Sequence, residues 1–62
     1  LEFLKARKAA GLTQAFAAQQ LDVSPAAISQ WEKGLTAPRA SLLPKVAKLY
    51  GVTIDQLIAN NE

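Results

Sequence analysis

The 62-residue chain has room for one domain and carries a net charge of only +2, from seven Lys and Arg against five Asp and Glu. It contains no cysteine and no histidine, which excludes disulfides, Cys-based zinc sites and every nucleophile built on a Ser–His or Cys–His pair. The five carboxylates, Glu2, Asp22, Glu32, Asp55 and Glu62, are scattered without an evident pair, so neither an enzyme, a metal nor a cofactor is expected.

A chain this short buries only roughly 60% of its unfolded surface, so modest stability is expected. The lack of cysteine suits a reducing, cytoplasmic setting. No apolar run approaches membrane-spanning length and no signal-peptide pattern is present. The chain opens at Leu1, in a stretch that already reads as helix, and is expected to be a piece trimmed from something longer.

Residues 1–10 are rich in Leu, Lys, Arg and Ala and predict a first helix, stopped by Gly11. Thr13 is placed to cap a second helix running to about Leu21. Asp22 and Val23 form a turn. Ser24 is a strong N-cap, and Pro25 at the first helical position forfeits no needed donor. The third helix runs to about Lys33 and ends at Gly34. A loop with Pro38 follows. A fourth helix is predicted from near Ala40 or Ser41 to Tyr50, with Pro44 in or just beyond its first turn and Gly51 at its end. Thr53 and Gln56 form a capping-box pattern that opens a fifth, short helix.

No stretch alternates with a strand period, and the expectation is an all-α fold of five helices. One core is predicted from Ala18, Leu21, Ile28, Trp31, Val46, Leu49, Tyr50, Ile54, Leu57 and Ile58, completed by Phe3, Leu12, Val23 and Leu43. Trp31 lies three residues from Ile28 on the inward face, so it reads as core rather than as a stacking platform for bases. Residues 13–34 thus read as two short helices across a tight turn. The second begins Ser24-Pro25-Ala26-Ala27, with almost no bulk at its front end, and fits a narrow slot such as the DNA major groove.

The chain resembles, over essentially its whole length, the phage-repressor helix-turn-helix family, the Cro- and cI-like or XRE group. The resemblance rests on Arg7, Gly11-Leu12-Thr13-Gln14, Ala18, Leu21, Val23-Ser24, Ile28-Ser29, Glu32, Gly34 and Pro38. It continues through Leu43, Val46-Ala47, Leu49, Gly51-Val52 and Asp55-Gln56-Leu57. It implies a lambda-repressor-like DNA-binding domain over residues 1–62, with the motif at about 13–34. Family members pair an Arg of the first helix with a Glu late in the third, which here implies an ion pair between Arg7 and Glu32.

Three positions depart from the family pattern. Asp22 stands where Gly is usual, and Asp tolerates a left-handed backbone better than most residues. Ala17 stands where Leu is usual, and Phe16 where a polar residue is usual. Either Phe16 reaches round to the core, the preferred expectation, or it is an exposed patch for a partner.

The resemblance implies that Pro25, Ala26, Ala27 and Gln30 face the base edges. Gln30 alone is suited to a two-pronged contact, most naturally to adenine, so direct readout is expected to be sparse and DNA shape to contribute. Ser29 is expected to serve phosphate rather than base. Gln14 and Ser24, at two helix N-termini, and Lys33, Thr36 and Arg39 around the following loop, are the expected backbone contacts. So few cations give a shallow salt slope for a monomer, which argues for a homodimer on a palindromic operator with half-sites roughly 34 Å apart. The expected dimer surface is residues 52–60. Lys45 and Lys48 read as a solvated helix face. The leading expectation is a repressor; the alternative is a protein-interaction module such as an antitoxin, which exposure of Phe16, Leu1 and Leu4 would favour.

Overall fold

Helix ends in this chain are set by local chemistry. The computed structural model describes residues 2–58, with helices α1 (Phe3–Ala9), α2 (Gln14–Leu21), α3 (Pro25–Lys33), α4 (Leu43–Tyr50) and α5 (Ile54–Ile58) and no strand among the described residues. Leu1, expected to open the first helix, and Ala59 and Asn60, at the end of the expected dimer surface, lie outside the described residues.

Four helices close in the same way. The Leu12 amide donates to the Arg7 carbonyl at 3.2 Å, and Val23 to Ala18, Leu35 to Gln30 and Val52 to Ala47, each at 3.0 Å. This closure needs a residue in the left-handed region just past the helix. Glycine supplies it after α1, α3 and α4; after α2 it is Asp22, at φ 57°. Helix starts are equally local. Thr13 Oγ1 accepts from the Phe16 amide at 3.0 Å, and Ser24 Oγ from the Ala27 amide at 3.1 Å. Thr53 and Gln56 exchange hydrogen bonds of 3.1 and 2.8 Å, a complete capping box.

The fourth helix begins two to three residues later than the sequence predicts, at Leu43. A helix begun at Ala40 would direct the Pro44 ring at the Ala40 carbonyl and find no N–H there to bond it. Residues 40–42 form a turn instead, closed by the Leu42 amide on the Arg39 carbonyl at 2.9 Å, and Pro44 falls within the first two helical positions. This turn buries Leu42, while Leu43, the expected core residue, is only half-buried against the core.

α2 packs most extensively on α3, and α4 touches α1, α2 and α5. Phe3, Ile28, Val46 and Leu57 fill the centre between them. The Phe3 and Trp31 rings lie 6.0 Å apart, tilted by 47°, so Trp31 is a core residue.

Two core expectations are overturned. Phe16 does not reach the core: it is 44% exposed. Ala17 and Ala18 occupy the inward face of α2 and are themselves buried, and the Thr13 cap fixes the helix phase that turns Phe16 about 100° away from Ala17. Ile58 is also 44% exposed. In the five-residue α5 the fully buried position is Leu57, and the next residue is turned outward. Ala6, Ala17, Leu42 and Ala47 complete the core in their place.

Candidate nucleic-acid interface

The front of α3 is built by two adjacent residues. Ser24 takes up a helix N-terminal amide, and Pro25 sets the first helical φ without leaving a donor unpaired. Beyond them the helix sorts its faces by period. Ile28 and Trp31 are buried, while Ala26, Gln30 and Lys33 form an exposed row at spacings of four and three residues.

Of the four residues expected at base edges, Pro25, Ala26 and Gln30 are exposed, whereas Ala27 is half-buried and packs against the core. Ser29 is half-buried. The loop after α3 is anchored by buried Pro38 and carries exposed Thr36 and Arg39. Thr36 Oγ1 lies 3.5 Å from Gln30 Oε1, a long contact that sets the loop beside the exposed row. Arg39 Nε donates to Ser41 Oγ at 3.2 Å. Lys33, Thr36 and Arg39 therefore follow the same end of α3 as Gln30, while Ser24 and Gln14 occupy the N-termini of α3 and α2.

Behind this surface a polar network joins three helices. Arg7 Nε donates to Glu32 Oε2 at 2.5 Å, and Arg7 Nη2 to Glu32 Oε1 at 3.2 Å. The side chains are 10% and 5% exposed. Arg7 Nη1 donates to the Leu12 carbonyl at 2.8 Å, and Gln14 Nε2 to Glu32 Oε1 at 2.9 Å. The network pins the start of α2 to the end of α3 and the middle of α1. Gln14, expected to meet phosphate, thus gives one of its two amide protons to Glu32 and keeps the other. The sequence holds no signal for the Gln14–Glu32 bond, which spans 18 residues, or for a backbone carbonyl as the third partner of Arg7.

The electrostatics follow from this geometry. The Arg7 guanidinium is held above its ordinary value, chiefly by its hydrogen bond to Glu32. Burial pushes the Glu32 carboxyl up, but the hydrogen bonds from Arg7 and Gln14 and the charges of Arg7 and Lys8 outweigh it, leaving the carboxyl below its ordinary range. The Tyr50 phenol is buried and its Oη has no hydrogen-bond partner. Burial, aided by the charge of Glu32 and opposed by that of Arg7, pushes it up to about 12.

No group of acidic, His or Cys side chains among the described residues could hold a metal ion. No helix among them is long and apolar enough to cross a membrane.

Comparison with known proteins adds two findings. A family model described as helix-turn-helix matches residues 4–57. The HTH-type transcriptional activator BcrR of Enterococcus faecalis is 43% identical over 56 residues, which cover 90% of this chain and 28% of that protein. The chain therefore spans little more than a quarter of that relative's length. No solved structure matches it.

Proposed function

Since the chain belongs to the helix-turn-helix family of DNA-binding transcriptional regulators, we propose that it reads a specific operator by laying the front of α3 in the major groove. The observation that carries this reading is the exposed, nearly bulk-free start of α3, Pro25 and Ala26, followed one turn later by exposed Gln30. Small side chains permit close approach to base edges and thymine methyls, and Gln30 supplies the one amide suited to adenine. Half-buried Ala27 lines the inner edge of this surface rather than its crest.

The backbone contacts in this reading are Gln14 and Ser24 at two helix N-termini, Ser29, and Lys33, Thr36 and Arg39 around the loop. Arg7 and Glu32 hold these elements in register from behind. Two cations per protomer give weak phosphate affinity, so the functional species is a homodimer on a palindromic site, with repression by occupancy as its simplest action. Residues 1–62 act as one DNA-binding unit. A second reading, activation, draws on the printed description of the relative as an activator.

Selection from random oligonucleotides at two salt concentrations tests the proposal. The expected result is a palindrome with few strongly specified positions and an adenine opposite Gln30. An absence of enrichment at both salts, with the chain folded, refutes it.

A further inference from the structure

On the side of α2 away from its N-terminus a cleft of about 360 Å³ opens between α2 and α4, lined by Gln20, Leu21, Lys45, Lys48 and Leu49. Gln20 lies six residues beyond Gln14, roughly 9 Å along the helix axis, so the cleft is displaced from the end of α2 assigned above to phosphate. Its chemistry is mixed in a particular way. Leu21 and half-buried Leu49 give it apolar walls, Gln20 offers an amide donor and acceptor, and Lys45 and Lys48 stand exposed at the rim. The lysines are three residues apart on α4, so they share a face with roughly 5–6 Å between their Cβ atoms. Neither has an ion-pair partner among the described residues, and no carboxylate lines the cleft. Exposed Phe16 sits one turn before Gln20 on the same row of α2, outside the cleft lining.

We propose that this cleft docks an acidic, amphipathic segment of a partner protein. Two carboxylates one helical turn apart reach Lys45 and Lys48, and an apolar side chain between them seats on Leu21 and Leu49. Charge complementarity selects this occupant. Residues 1–62 offer no such segment from a second copy, because no two of their five acidic residues lie within one turn of each other in sequence. A DNA duplex carries the charge as a row of phosphates, but its apolar groups are stacked bases and groove-floor thymine methyls rather than a side chain that could enter between the leucines.

The test is amide chemical-shift mapping on the intact chain with four probes. These are a synthetic helical peptide with two glutamates one turn apart around a leucine, its Gln-for-Glu and Ala-for-Leu counterparts, and a short DNA duplex. The acidic peptide is expected to shift the amides of Gln20, Leu21, Lys45, Lys48 and Leu49 saturably. Each counterpart is expected to bind about tenfold more weakly or worse, as is the acidic peptide to the K45Q/K48Q variant. DNA affinity and its salt slope are expected to stay unchanged in that variant. The proposal is overturned if the acidic peptide leaves the cleft unshifted or if the neutral peptide binds equally well. It is also overturned if the same amides shift with protein concentration alone, which assigns the cleft to a second copy. A fall of the DNA salt slope by about two per protomer in the variant assigns the lysines to phosphates and overturns it as well.

Discussion

Truncating Glu32 is the most informative perturbation of this fold. Glu32→Ala leaves the Arg7 guanidinium, whose side chain is 10% exposed, with only the Leu12 carbonyl as partner, and frees the Gln14 amide as well. Removing one member of a buried pair costs about 3–5 kcal/mol. A domain of this size has about 3–9 kcal/mol of stability in all, so the variant is expected to lose between about a third and all of it, with a correspondingly lower urea midpoint. Replacing both partners by apolar side chains, Arg7→Met with Glu32→Leu, leaves no orphaned charge and is expected to be at least about 2 kcal/mol more stable than Glu32→Ala. The same pair sets an acid limit. The Glu32 carboxyl lies below its ordinary range in the folded chain, so its stabilising effect is complete above about pH 4.3, the unfolded value, and is lost as pH falls through the folded one. Urea unfolding followed through Trp31, the only tryptophan, measures all of these. The reasoning is refuted if Glu32→Ala unfolds within about 0.5 kcal/mol of the parent, or if the double apolar variant is less stable than either single one.

Other predictions concern single groups. Tyr50→Phe removes a buried hydroxyl that has no partner and is expected to leave stability unchanged or raise it; a loss above about 1 kcal/mol in urea unfolding contradicts that assignment. Tyr50 is the only tyrosine, so absorbance titration reads it directly. The folded midpoint is expected at about 12, and stability is expected to fall as pH rises from the unfolded value of about 10 towards it. Asp22→Gly relieves a side chain held at φ 57° and is expected to raise stability by about 1 kcal/mol, read as a shift of the urea midpoint at constant slope. In DNA titrations, Gln30→Ala is expected to relax discrimination at one base pair per half-site by about 1–3 kcal/mol with an unchanged salt slope. Arg39→Ala is expected to weaken all sequences alike and lower the slope by about one per protomer.

The capping residues show why so much of the backbone was legible. Ser24 with Pro25, Thr13, and the reciprocal pair Thr53 and Gln56 act within three residues of themselves, so a short window of sequence contains the whole interaction. Gly11, Gly34 and Gly51 mark the ends for the same reason. The start of α4 lies later than Ala40 or Ser41 because Pro44 decides the boundary, and Ser41 Oγ is taken by Arg39. At the candidate interface, the order of small and polar residues along α3 could be read directly. The half-burial of Ala27 could not, since it depends on what packs beneath it.

The sequence by itself thus determined the number of helices, their order and where most of them begin and end, because caps, glycines and prolines act through bonds a few residues long. Tertiary structure alone decided that Phe16 stays outside while Ala17 goes in, that Leu42 is buried more deeply than Leu43, and that Ile58 faces out beside a fully buried Leu57. It alone closed the Gln14–Glu32 bond and left Tyr50 Oη without a partner. These outcomes depend on which surfaces of separate helices meet, and the winner between two adjacent apolar residues is fixed by the space left in a shared core rather than by either residue's own preference.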